Sequence, residues 1–353
     1  MSKFLAKARR TLEAYVPGEQ PQDRSYIKLN TNESPFQPSS GVEAAVAAEA
    51  NKLQLYSDPE SRELTCLAAE LYGVDPDQVL MTNGSDEILD FAFMAFCGEQ
   101  EPAAFPDITY GFYSVFGDLH HVPYEKIPLR EDFSINYKDY CGIHKTIFIA
   151  NPNAPTGLLL SNEEIEEILR SNPQNVVVID EAYADFSGSS CLPLLKKYDN
   201  LLITRTFSKA YSMAGARLGL GIGSRELIAD LNTIKYSTNP YNVNRMTGAA
   251  GIAALKENDY YMKNCRVICE NREYTREKLQ ELGFEVLKSH SNFLFARNDQ
   301  VDGGVLYEKL KQKGILVRHF NSERISNFIR VTIGRKEQMD AFLQAVREIL
   351  DGK

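Results

Sequence analysis

LLITRTFSKAYSMAGAR, residues 201–217, sets an apolar run against a polar turn that holds Thr206, Ser208, Lys209 and, eight residues past the lysine, Arg217. Such a run reads as a strand, Leu201 to Thr204, whose polar end carries side chains able to act on a ligand. Four further runs have the same texture: Val79 to Thr82, Thr146 to Ala150, Val176 to Asp180 and Leu218 to Gly221. Between about residues 45 and 230 they alternate with segments of helical periodicity, which predicts βαβ units and a largely parallel sheet in an α/β fold. One intervening helix is marked by a capping box, Ser161 with Glu164, by the stripe Ile165, Ile168 and Leu169, and by the stop at Asn172-Pro173. Another opens at Ser224 with Leu227, Ile228 and Leu231 turned inward.

Past residue 285 the texture changes. Phe284 to Leu287, Asn292 to Ala296, Ile315 to Arg318 and Phe328 to Ile333 read as short strands around a helix ending at Gly314, and Met339, Phe342, Leu343 and Val346 mark a last helix. This is a smaller α+β unit, bridged to the first by a charged helical stretch, Tyr260 to Leu282. The division expected is an N-terminal segment over 1–40, belonging to the small unit or a dimer contact, a large domain over 41–255 and a small C-terminal domain over 256–353.

Composition narrows the function classes. The 353 residues, 43% hydrophobic and 25% charged, describe an ordinary globular chain. A net charge of −9 without any basic run argues against nucleic acid. MSKFLAKARR lacks an apolar signal core, and Phe91 to Cys97 is far too short to span a bilayer, so no membrane partner and a cytoplasmic location are expected. The six cysteines form no C-x-x-C pair, and no histidine follows Cys265 and Cys269 at ligand spacing, so no metal is expected.

Four segments carry the chemistry. A lone lysine at a strand end is usually a solvated surface residue, but Lys209 stands among hydroxyls and near a guanidinium that suit a phosphate, and a lysine that condenses with a carbonyl needs a depressed pKa and a fixed place. Val176–Asp180 ends in a carboxylate, and Tyr183 follows three residues later; an Asp there is often only a cap, yet a buried anion is what keeps a pyridine nitrogen protonated. Thr82-Asn83-Gly84-Ser85-Asp86-Glu87 runs from a strand through Gly into a helix, whose first amides offer an anion site or, equally, a plain capped helix. Asn151-Pro152-Asn153-Ala154-Pro155-Thr156-Gly157 is a rigid turn at a strand end.

Taken together, Asn-Pro-x-x-Pro-Thr-Gly, Asp-Glu-Ala-Tyr and Ser-Lys with an Arg eight residues on, in this order, resemble the fold-type-I family of pyridoxal-phosphate enzymes, and within it the histidinol-phosphate aminotransferases, along nearly the whole chain. The resemblance implies a fold-type-I architecture, pyridoxal 5′-phosphate held as a Schiff base on catalytic Lys209, Asp180 on the pyridinium and Tyr183 on O3′. Gly84, Ser85, Asp86, Thr206, Ser208 and Arg217 would surround the phosphate. Tyr110 would stack on the cofactor, and Tyr56, in Leu55-Tyr56-Ser57-Asp58-Pro59, would reach the phosphate of the neighbouring subunit of a homodimer. Arg330 resembles the arginine that grips a substrate carboxylate, and Arg318 and Tyr15 those that bind a substrate phosphoryl group. The reaction implied is L-histidinol phosphate with 2-oxoglutarate to imidazole acetol phosphate and L-glutamate. Aromatic amino-acid transamination, phosphothreonine decarboxylation or a non-catalytic role on the same scaffold are the alternatives. The sequence departs from the family at Ala154, where many relatives place an Asn on O3′, leaving that contact to Tyr183 or Asn153, and at Phe36, where a Tyr is usual.

Overall fold

The computed structural model describes residues 2–352. In chain order its strands are β1 (Ile27–Lys28), β2 (Val79–Thr82), β3 (Ala103–Pro106), β4 (Tyr124–Ile127), β5 (Thr146–Ala150), β6 (Val177–Asp180), β7 (Leu201–Thr206), β8 (Gly219–Ile222), β9 (Phe284–Val286), β10 (Phe293–Asn298), β11 (Ile315–Leu316), β12 (Arg318–His319) and β13 (Phe328–Thr332). Seven of them form one sheet in the order β2-β8-β7-β6-β5-β3-β4. Five of these, β3 to β7, run parallel, while β8 is antiparallel to both β7 and β2. The reason lies in the connection: residues 207–218 contain only the 3₁₀ turn Ala214–Ala216, no crossover helix, so the chain after β7 must turn back on itself. That short return is what places Lys209 and Arg217 at one end of adjacent strands.

Alternation within the strands sends apolar side chains to both faces. Ile147 and Ile149 join one core with Val177, Ile179, Leu201 and Ile203, whereas Phe148, Val178 and Leu202 join the other. The helices α1 (Ser40–Ala50), α2 (Arg62–Tyr72), α3 (Ser85–Phe96), α4 (Phe112–His120), α5 (Asn162–Ser171), α6 (Arg225–Thr238) and α7 (Arg245–Lys256) accompany this sheet. The predicted capping box is formed: Ser161 Oγ accepts from the Glu164 amide, and Glu164 accepts from the Ser161 amide. Strand β3 and the edge strand β4 beside it were not signalled by the sequence, because AAFP and YEKI carry little β-branched or alternating pattern.

The 24-residue helix α8 (Asn258–Glu281) leads to the smaller antiparallel sheet β12-β13-β10-β9, which α9 (Gly303–Gln312) and α10 (Lys336–Leu350) accompany. The expected single strand Ile315 to Arg318 is two strands. Ile315–Leu316 pairs in parallel with Ile27–Lys28, and after Val317 the chain joins β13 through Arg318 and His319. The N-terminal segment is thereby threaded beside β13. Among the described residues no helix is long and apolar enough to cross a membrane.

Candidate active site

Asp180 is the last residue of β6, and strand register sets Ala150 on one side of it and Thr204 on the other. Its Oδ1 accepts from Thr204 Oγ1 at 2.9 Å and from the Ala182 amide at 3.2 Å, and its Oδ2 accepts from Tyr113 Oη at 3.3 Å. Burial dominates these bonds and pushes the carboxyl up to about 6. A cation placed against Oδ2 would reverse that shift, so the carboxyl can hold a positively charged group. The chain beyond is locked by charge: buried Glu181 meets Arg205 at 2.6 Å and Arg205 meets Asp185 at 3.0 Å, on either side of Tyr183.

Lys209 lies beyond the end of β7. Its Nζ donates to the Thr31 carbonyl at 3.1 Å and stands 5.9 Å from the centre of the Tyr183 ring. Burial first, then the charge of Arg330, pulls the amine down to about 8, against the raising pull of Glu33 and Asp86. An amine in that state is a competent nucleophile and base near neutral pH.

Around the neighbouring strand ends lies an anion cradle. Gly84 has φ 81° and begins α3; a Cβ there would sit 2.6 Å from Arg217 Nη2, so only glycine lets the guanidinium close over the helix N-terminus. Gly219 on β8 is required for the same packing, since a Cβ would meet Gly84 C and Ser85 N at 2.4 Å. Arg217 bonds Asp86 Oδ2 at 2.9 Å and Ser208 Oγ at 3.4 Å, and Tyr110 Oη donates to Asp86 Oδ1 at 2.6 Å. The pocket thus formed is lined by Ser85, Asp86, Tyr110, Asp180, Tyr183, Thr206, Ser208, Lys209 and Arg217, together with Ala154, Thr31 and Glu33. Hydroxyls, a guanidinium and a helix N-terminus at one side, a buried carboxylate and a depressed lysine at the other, fit a phosphorylated pyridine aldehyde.

The other expected residues are placed differently. Arg318 donates to the carbonyls of Val16 and Pro17, both at 3.1 Å, which draws it to the neighbours of Tyr15 within one chain. Tyr15 stacks on Phe112 at 4.3 Å and stands 6.4 Å from Tyr110. Arg330 donates to Asn30 O at 3.2 Å, lies over the rings of Phe293 and Phe320, and keeps a buried Nε with no partner. These three flank the pocket rather than line it. Asn153 departs from expectation: its Nδ2 donates to Ile108 O and Thr156 Oγ1 and its Oδ1 accepts from Thr109, so its amide is spent on the turn and does not face the pocket. Tyr56 is 79% exposed and stacks on Tyr241 at 4.5 Å, far from completing any site in its own chain.

Sequence reasoning gave no site role to Tyr113 or Thr204, nor to Thr31, Asn32 and Glu33, although the stretch Leu29 to Pro35 resembles the family's entry segment. Thr204 was readable, being one strand over in register from Asp180; the others come from elements whose approach no local pattern encodes.

Three comparisons with known proteins bear on this geometry. Residues 24–346 match the family described as aminotransferase class I and II. The chain is 49% identical over 352 residues to a histidinol-phosphate aminotransferase of Brachyspira hyodysenteriae and 44% identical over 351 residues to one of Clostridium beijerinckii, covering 99% of this chain in each case and 99% and 98% of those proteins. The crystal structure of the histidinol-phosphate aminotransferase from Clostridium acetobutylicum superposes with a TM-score of 0.85 at 25% identity, over 92% of this chain and 99% of that one. With Lys209, Asp180 and Arg217 gathered at the ends of one sheet and likeness running the full length of the chain, this protein belongs to the class I and II aminotransferases.

Proposed function

We propose that this chain transfers the amino group of L-histidinol phosphate to 2-oxoglutarate, giving imidazole acetol phosphate and L-glutamate, with pyridoxal 5′-phosphate in the pocket described above. The observation that carries the reading is the 49% identity, end to end, to a protein named histidinol-phosphate aminotransferase. Pyridoxal phosphate, when bound, supplies an aldehyde that condenses with amines and a cationic ring that accepts the electron pair left at the substrate Cα. The protein's part is positional and acid–base. Asp180 keeps the ring nitrogen protonated, Tyr183 donates to O3′, and Ser85, Thr206, Ser208 and Arg217 hold the phosphate, with Tyr110 against the ring. Lys209 Nζ takes the proton from the substrate Cα and delivers it to C4′, a role that its depressed proton affinity favours.

Arg330, Arg318 and Tyr15 supply the substrate subsite. Histidinol phosphate has no carboxylate; a phosphoryl ester on a methylene arm stands in its place, whereas glutamate presents carboxylates. A guanidinium fork bonds either anion in bidentate fashion, which lets one pair of arginines serve both halves of a ping-pong cycle. Exposed Leu53, Leu55 and Tyr56 support pairing of two copies, with Tyr56 reaching the partner's phosphate. A cytoplasmic location is part of the same reading.

The test is a half-reaction. The cofactor-loaded enzyme is mixed separately with L-histidinol phosphate, phenylalanine and O-phosphothreonine, and the absorbance of the lysine-bound cofactor is followed. Rapid loss with histidinol phosphate alone is expected; faster loss with phenylalanine, or carbon dioxide released from phosphothreonine, overturns the substrate assignment.

A further inference from the structure

Asn32 lies in the N-terminal segment, 1% exposed, with φ 57°. Its backbone amide donates to Thr332 Oγ1 at 2.9 Å, its Oδ1 accepts from that same hydroxyl at 3.0 Å, and its carbonyl accepts from Asn292 Nδ2 at 3.0 Å. The Thr332 hydroxyl, already accepting from the backbone, gives its one proton to Oδ1, and this fixes which way the amide points. Nδ2 is left facing Tyr183 Oη at 2.8 Å.

We propose that Asn32 is a positioning residue for the cofactor, acting through Tyr183: by donating to the phenolic oxygen it leaves the Tyr183 proton free for O3′. The inference rests on the cofactor reading above. An amide NH₂ can only donate, so Tyr183 cannot spend its own proton on Asn32. The need for that proton is acute in this chain, because Ala154 lines the pocket without an amide and Asn153 is committed to the turn. The left-handed backbone of residue 32 alone does not explain the choice of side chain: glycine would adopt it with less strain but would leave Tyr183 undirected. Arg330 and Thr332, two residues apart on β13, bond Asn30 and Asn32, while Thr31 between them accepts from Lys209. The placement of Asn32 is therefore held by the same strand that carries the substrate arginine.

The experiment is a pH titration of the visible band of the cofactor-loaded protein in wild type, Asn32→Gly, Tyr183→Phe and the double variant. A donor on O3′ drains charge from it and weakens its hold on the neighbouring nitrogen's proton, so losing the donor moves the midpoint up. Asn32→Gly, which tolerates the backbone and adds no charge, is expected to raise the midpoint by about one pH unit, as Tyr183→Phe does, with no further rise in the double variant. Should Asn32→Gly fold poorly, Asn32→Asp keeps the Thr332 contact and replaces the donor by an acceptor that captures the Tyr183 proton, again raising the midpoint. An unmoved midpoint in either variant while Tyr183→Phe shifts, or a full Asn32→Gly shift persisting without the Tyr183 hydroxyl, overturns the proposal. Absence of any visible band in wild type refutes the cofactor reading instead.

Discussion

The two halves of the proposed site are built by different means. The cofactor half stands on strand ends of the seven-stranded sheet: Asp180 terminates β6, Lys209 and Arg217 lie on the return from β7 to β8, and Gly84 follows β2. Fully buried strands in fixed register hold those positions. The substrate half takes one residue, Arg330, from the middle of β13 and the rest from less regular chain, with Tyr15, Val16 and Pro17 in a coil and Arg318 opening a two-residue strand. Its parts are held by a stacking contact and by bonds to carbonyls. A rigid half suits a cofactor that stays in place through the cycle, and a looser half suits two substrates that must alternate in one place.

The sharpest way to break this contrast is at Lys209. Lys209→Met is expected to lower turnover about 10⁴-fold, since on the proposed reading one amine serves both as attachment point and as proton carrier. The same change is expected to stabilise the cofactor-free protein. Burial holds Lys209 at about 8 against its ordinary 10.5, so between those values the folded chain binds fewer protons than the unfolded one and gains stability as pH rises. Below pH 8 the buried charge is carried at a cost, and the variant should exceed wild type by roughly 1–3 kcal/mol at pH 7, the gap closing toward pH 10.5. Urea unfolding of both cofactor-free proteins at the two pH values checks it; a gap that does not change with pH would count against a buried charged amine.

On the looser half a smaller effect is expected. Arg318→Gln removes a guanidinium that bonds the carbonyls beside Tyr15 and that the proposed reading sets against the substrate's phosphoryl group. A lost charge-assisted bond of about 1.5–3 kcal/mol corresponds to a rise of roughly 10- to 100-fold in KM for histidinol phosphate, with kcat changed far less. Steady-state kinetics that instead put the loss in kcat would assign Arg318 to the chemistry and erase the division of labour.

Legibility in the sequence follows the same division. Strands β2 and β5 have the predicted bounds, and β6, β7 and β8 differ by one or two residues, because continuous apolar runs bounded by Gly, Asp or Thr leave little latitude. The residues that end those strands stand out for the same reason. What could not be read depends on encounters between distant segments. Asn32 meets Tyr183 across 151 positions and Thr332 across 300, and nothing local in LNTNESPF announces either. The antiparallel turn of β8 was hidden because the length of a connection shows only where both flanking strands are already placed. Asn153 misled for a related reason: the motif marks the turn, but only the packing of Ile108 and Thr109 against it decides where the amide points.

Tyr56 tests the contrast from outside both halves. In the single chain its ring is mostly exposed, stacked on Tyr241, and its hydroxyl secures nothing that folding requires. Tyr56→Phe keeps the ring and the stack, so unfolding free energy should stay within roughly 0.5 kcal/mol of wild type. If two copies pair so that each Tyr56 completes the other's phosphate cradle, the lost hydroxyl removes one hydrogen bond of about 0.5–1.5 kcal/mol, and cofactor dissociation should strengthen by roughly 2- to 10-fold. Sedimentation of the variant must show the same association state as wild type for the comparison to hold. Weakened cofactor retention with unchanged assembly and stability would make the cradle a property of two chains, its rigid base supplied by one sheet and its last donor by an exposed loop of the other. Unchanged retention in an intact dimer would leave Ser85, Thr206, Ser208 and Arg217 sufficient by themselves and confine Tyr56 to the contact between copies.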